Sequence, residues 1–230
     1  NTPQLPILDG AAVTLRPITD ADTDLIVKWR NTPSVVQNFI FRQTFTPEMH
    51  RSWLATKVAT GQVVQYIIVD KADGKPVGSV YYRDIDPHNR SAEYGIFIGE
   101  ESARGKGLGT ETARLFTDFG FAGLHLHRIS LRVLAENTAA RRSYEKAGFV
   151  QEGIFRDMEM LDGQYRDVVF MARLAEKDAK SQNVSRKDPQ CAALRVGGSR
   201  VPCGILLPDQ PHPAEQNLAA HHDEQRRSAL

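Results

Sequence analysis

The chain has 230 residues, 41% hydrophobic and 25% charged, with a formal net charge of +1. That length can bury a sizeable core, and the even charge balance argues against a general nucleic-acid binder. No apolar run approaches the roughly 20 residues of a membrane span. Residues 1–10 carry no signal-peptide pattern, and Cys191 and Cys203 are the only cysteines, so a disulfide framework or cysteine nucleophile is excluded from everything before them. A cytoplasmic setting fits these features.

Residues 1–10 read as a lead-in. A strand is expected over 13–18, closed by Pro17. A helix follows over 20–30, N-capped by Asp20, with Leu25, Ile26 and Trp29 on one face and Asn31-Thr32-Pro33 ending it. Thr46 caps a second helix with Pro47 in its first turn and Met49, Trp53, Leu54 and Val58 as its buried stripe. Strands over 63–69, 76–85 and 90–98 come next, linked by short turns at 70–74 and 86–89, which implies an antiparallel meander. A helix over 110–121, a strand over 127–134 and a helix over 138–147 follow, the last N-capped by Asn137 and ended by Gly148. Strands over 149–156 and 165–174 meet near Asp162-Gly163.

This order predicts an α/β fold of the α+β type, with a mixed, largely antiparallel central sheet of about seven strands flanked by helices. Residues 11–174 form the domain. Residues 175–230 lack periodicity and read as a flexible appendage. Cys191, Cys203, His212, His221 and His222 match no zinc-finger spacing, so no metal is expected.

The densest signal is Arg104-Gly105-Lys106-Gly107-Leu108-Gly109-Thr110, between a strand and a helix. Alternate glycines let a ligand approach the backbone, and the following helix directs unpaired N–H groups at it, which suits a diphosphate. A Walker loop fails because Thr110 follows Gly rather than Lys. A dinucleotide fingerprint fails because the spacing is G-x-G-x-G and the preceding strands are antiparallel. A helix-entry loop without a ligand is the plain alternative.

A second segment, Asn137-Thr138-Ala139-Ala140-Arg141-Arg142-Ser143-Tyr144-Glu145-Lys146-Ala147-Gly148-Phe149, lies one strand downstream. Together the two resemble the GNAT superfamily of N-acetyltransferases. The first is similar to its pyrophosphate loop [QR]-x-x-G-x-[GA], the second to its N-x-x-A-x-x-x-Y-x-x-x-G-F element. Leu15-Arg16-Pro17, Trp29-Arg30-Asn31 and Ala92-Glu93-Tyr94-Gly95 resemble the RimJ/RimL-type branch. The resemblance spans residues 11–174 and implies acetyl-CoA as co-substrate. It implies that Arg104, Gly105, Lys106, Gly107, Leu108, Gly109 and Thr110 hold the diphosphate. It also implies that Ile96, Phe97 and Ile98 pair with the pantetheine arm and that Asn137 contacts the coenzyme while capping its helix.

Direct attack of an amine on a thioester needs no covalent enzyme intermediate. Tyr144, a phenol with an ordinary pKa of about 10, is placed by the motif to protonate the departing thiolate; packing on the sheet is its other reading. Glu93 shares a strand face with Phe97 and is the candidate base, against a role as a solvated glutamate or one paired with Arg128 or Arg132 on a neighbouring strand. His88, His125 and His127 are further titrating groups. Residues 32–46 and 157–166 should recognise the acceptor, with Phe39, Phe41 and Phe45 lining a pocket or folding onto the core. A small-molecule amine (amino sugar, polyamine or antibiotic) is expected over a protein N-terminus. The stretch 39–45 lacks the acids a strongly cationic polyamine would want. Neither nucleic acid nor membrane is an expected partner, and a homodimer is compatible with the chain. A non-catalytic acyl-CoA-binding module is the reading from another class.

Overall fold

The computed structural model describes residues 5–176 together with the strands Leu194–Val196 and Ser199–Val201. The short strand β1 (Leu8–Asp9) pairs with β2 (Val13–Pro17). The expected helix over 20–30 is divided. Asp20–Asp22 makes a tight 3-10 turn capped by Thr19, not Asp20, and α1 covers Thr23–Asn31. The Asp22 carboxylate causes this, because it accepts from Thr19 N at 2.9 Å while pairing with Arg16 at 2.6 Å. Pro33 ends one helix and opens another, α2 (Pro33–Val36), since its fixed φ and missing N–H suit a first helical position.

Helix α3 (Pro47–Trp53) is capped by Thr46 as expected, then widens into a π-type turn over Leu54–Val58. Its buried residue is His50; the expected stripe is only half-buried. The meander is present as β3 (Val64–Asp70), β4 (Lys75–Asp86) and β5 (Ser91–Ile98). Helix α4 (Leu108–Ala122) begins two residues before the expected start, because Gly107 adopts φ 82° and serves as its N-cap. Then come β6 (Arg128–Leu134), α5 (Thr138–Lys146), β7 (Val150–Leu161) and β8 (Gln164–Leu174). Asp162 (φ 51°) and Gly163 (φ 76°) form the two-residue left-handed turn between the last two, so β7 runs past its expected end at 156.

The order β1-β2-β3-β4-β5-β6-β8-β7 makes one open eight-stranded sheet in which only β5 and β6 are parallel. The strand beyond the expected seven is the two-residue β1. The larger core cluster lies on the α4/α5 face, around Tyr66, Tyr82, Tyr94, Phe116 and Phe119. A smaller one lies on the α1 face, around Ile26, Trp29, Ile67 and Phe97. Strand β5 serves both by alternation: Ala92 and Tyr94 face one, Phe97 the other.

Of the appendage, Ala175, Glu176 and an antiparallel pair, β9 (Leu194–Val196) with β10 (Ser199–Val201), are described. The flexibility expected for 175–230 and the Cys and His residues of that tail otherwise lie outside the described residues.

Candidate active site

Parallel pairing between β5 and β6 covers only Ser91↔Arg128, Ala92↔Ile129 and Glu93↔Ser130. From residue 94 onward β5 continues against β4, through Tyr94↔Tyr82 to Ile98↔Gly78, while β6 continues against β8. The two strands part there. The edge of β5 at Ile96, Phe97 and Ile98 is therefore without a strand partner on one side, and an extended chain can pair with it.

At the C-terminal end of that edge comes the glycine loop. Gly105 has φ 75° and Gly107 φ 82°, left-handed values that favour glycine. A Cβ at either would meet nothing within 4 Å. The glycines are thus set by backbone conformation, and the loop's outer surface is open. Leu108 is buried beneath it, while Lys106 is exposed. Arg104 turns back onto the strand, its guanidinium donating to Ile98 O at 3.2 and 3.3 Å. It closes the end of β5.

Helix α5 docks against the start of α4. Thr110 Oγ1 and Ser143 Oγ are 2.8 Å apart, and Arg114 Nε donates to Lys146 O at 3.0 Å. This docking puts Tyr144 next to the open edge, edge-on to Tyr94 (6.1 Å between ring centres) and Phe149 (5.9 Å). Burial, with Tyr81 adding to it, pushes the Tyr144 phenol above its ordinary range. At neutral pH it holds its proton and is a donor. Asn137 caps α5 through Ala140 N at 3.1 Å, as expected, and its amide donates to Asn38 at 3.1 Å.

On the opposite face of β5, Glu93 shares the side of Phe97, as the parity requires. Its carboxylate is already engaged: Arg83 Nη2 donates to Oε1 at 2.5 Å and Arg132 Nη2 at 3.2 Å. Of the two pairing partners expected from sequence, Arg132 takes part and Arg128 does not; Arg128 pairs with Glu152. All described hydrogen bonds to Glu93 end on Oε1, leaving Oε2 to face other groups.

The segment after α2 folds over this face. Asn31 ties it down by donating to Phe45 O and accepting from Phe45 N, both at 2.8 Å. Phe39 packs edge-on to Phe97 at 5.7 Å, Phe45 joins the smaller cluster, and Phe41 stays exposed. Ile40, Phe41, Arg42 and Gln43 face Met160, Leu161 and Asp162 across an open groove. The two segments expected to recognise the acceptor thus border one space.

Three residues were missed from sequence. Tyr81 stands opposite Gly95 in the β4–β5 register, and a Cβ on Gly95 would lie 2.3 Å from Tyr81 Cζ. The phenol therefore lies across β5. The signal was available, since a large ring paired with a cross-strand glycine fills the missing side chain's place. On the same face, Arg83 had no signal beyond its type, and Arg30 had only its place in Trp29-Arg30-Asn31, with no role attached.

A family model described as an acetyltransferase (GNAT) domain matches residues 12–150. This chain belongs to the GNAT acetyltransferases. The acetyltransferase is 33% identical over 160 residues to a spermidine N(1)-acetyltransferase of Escherichia coli, covering 70% of this chain and 84% of that one. It is 28% identical over 134 residues to a putative ribosomal N-acetyltransferase of Bacillus subtilis, covering 58% and 69%. Among solved structures, spermidine N-acetyltransferase of Vibrio cholerae in complex with CoA and spermine superposes with a TM-score of 0.67 at 27% identity, covering 71% of this chain and 95% of that one. Acetyl-CoA is the co-substrate and the reaction is N-acetyl transfer. Among the described residues no helix is long and apolar enough to cross a membrane.

Proposed function

We propose that this acetyltransferase moves the acetyl group directly onto the primary amine of a small molecule, in the opening where β5 leaves β6. The observation that carries this reading is the convergence there of three features: an unpaired strand edge, an open glycine loop at one end, and a protonated phenol beside it. In this reading the amides around Gly105, Gly107 and Gly109, with the first turn of α4 at Leu108 and Thr110, hold the diphosphate. Lys106 adds charge from the surface, Arg104 acts through Ile98, and Asn137 borders the coenzyme. The pantetheine arm pairs along Ile96, Phe97 and Ile98. The amine nitrogen attacks the thioester carbonyl, the C–N bond forms, the C–S bond breaks, and Tyr144 gives its proton to the leaving sulfur, the proton shed by the new amide nitrogen restoring the phenol.

Glu93 is proposed to take the ammonium proton through Oε2, directly or by way of water. Two guanidiniums on Oε1 fix the carboxylate in direction, which positions Oε2. The RimJ/RimL-type branch rests on motif residues with visible tasks: Arg16 fixes the turn before α1, and Asn31 ties down the acceptor segment. A small acceptor is favoured because that segment closes over Phe97 through Phe39 and Phe45. Dependence on acetyl-CoA favours the cytoplasm. Self-association through β7 is also proposed, since this edge strand exposes Val150, Ile154, Phe155 and Met160.

The test is thiol release from acetyl-CoA across amino sugars, amino acids, polyamines and peptides with N-terminal Ser or Ala. Release above the spontaneous rate with a small amine supports the proposal. Release with peptides alone would assign the protein-acetylating alternative. CoA binding without release from any amine would assign the non-catalytic module.

A further inference from the structure

The acceptor face is rich in arginine, and the arginines are not equivalent. Arg42 pairs with Asp162, Arg83 with both Glu93 and Asp84, Arg132 with Glu93, and Arg166 with Glu136. Arg30 has no carboxylate within ion-pair distance among the described residues. It also makes no hydrogen bond there, and its Nε is buried without a partner. What surrounds it is aromatic: its guanidinium carbon lies 5.0 Å from the ring centre of Phe39 and 4.5 Å from that of Phe45.

A guanidinium flanked by aromatic rings leaves its in-plane N–H donors for other partners, and their fork fits a carboxylate or phosphate. Burial lowers the Arg30 pKa, with Tyr81 opposing this and Arg83 adding to it. An unpaired charge held half-buried is unfavourable, and an arriving anion relieves it. Phe39 touches both Arg30 and Phe97, so this fork stands beside the opening where transfer is placed. The only described carboxylate on this stretch of β5, Glu93, is already shared by two arginines. The carboxylates of these pairs are already engaged by arginines, which opposes a polycation.

We propose that the acceptor carries an anionic group, a carboxylate or a phosphate, beside its primary amine, and that Arg30 binds that group between Phe39 and Phe45. This rests on the transfer reaction proposed above and specifies its substrate class.

The experiment compares kcat/KM for matched amines: glucosamine 6-phosphate with glucosamine, methionine with methioninamide, and spermidine as the polycation. The phosphate and carboxylate arms separate the two sources of charge. In the wild-type enzyme the anionic member of one pair is expected to be faster by about 10- to 100-fold, the range of a charge-assisted hydrogen-bond pair. Arg30→Met should collapse that ratio toward one, and Arg30→Lys, which keeps charge but loses the fork, should lower it only in part. Spermidine or the neutral members being preferred by the wild-type enzyme would overturn the proposal, and this needs no variant to fold. So would an Arg30→Met variant that slows both members of a pair by the same factor, the result of a merely structural role. Silence from every amine would overturn both this inference and the transfer reaction, whereas turnover confined to neutral or cationic amines would overturn this inference alone.

Discussion

Where β5 carries α4 and α5, Tyr94 sits among Tyr82, Phe116, Tyr144 and Phe149, rings packed on rings. On the opposite face of the same strand, Glu93, Gly95 and Phe97 lie among Arg83, Arg132, Tyr81 and Phe39. The first face is packed with rings, and what it offers a ligand is backbone: amides of a glycine loop and one unpaired edge. The second is charged and offers side chains. A coenzyme that stays the same can be held by backbone, whose geometry is indifferent to side-chain identity; an acceptor must be told from other amines, and that takes side chains.

The comparison is most sharply tested at Tyr144, which borders both faces. Tyr144→Phe keeps the ring and its packing but removes the proton, so kcat should fall by about 100-fold or more, with CoA affinity unchanged. An equal loss of CoA affinity would make the residue a packing element. Gly107→Val probes the backbone-built side alone. A side chain there meets no atom but must adopt φ 82°, at about 1–2 kcal/mol, so the CoA Kd should rise roughly tenfold in calorimetry. The relative kcat/KM values among acceptors should stay as they were.

The smallest effect concerns the acceptor side's support. His50 is buried and its Nδ1 lies 2.9 Å from Thr23 Oγ1. Burial lowers its pKa, against the pull of Asp20 and Asp22. Below about pH 6.5 the unfolded chain gains a proton on this residue that the native one does not bind, so stability falls as pH falls, by at most about 1.4 kcal/mol per pH unit. Thermal melts from pH 7.5 to 5.5 should show Tm declining by a few degrees. His50→Gln should flatten that decline, and an unchanged slope would refute the assignment.

Legibility from sequence followed the same division. The glycine loop, the Asn137 cap, the Asp162-Gly163 turn and the meander are local rules, written in φ-demanding residues and short-range periodicity, so they could be read directly. The shift of α4 to Leu108 came from treating Gly107 as loop when it is the cap. The division of the first helix depends on Arg16 reaching Asp22 from a strand, which no helix pattern records. Arg30 could be quoted as part of Trp29-Arg30-Asn31, but its lack of a carboxylate partner exists only in three dimensions. Tyr81 and Gly95 were each visible; their opposition required the register.

The central claim is that the coenzyme lies along the free edge of β5 with its diphosphate on the glycine loop. Hydrogen exchange with and without saturating CoA tests this most directly. Peptides covering 94–98 and 104–110 should be protected, while those covering 150–156, the first half of the edge strand β7, should not change. CoA that binds, as a thermal shift would report, yet leaves both of those segments exchanging at their free rate would contradict the account.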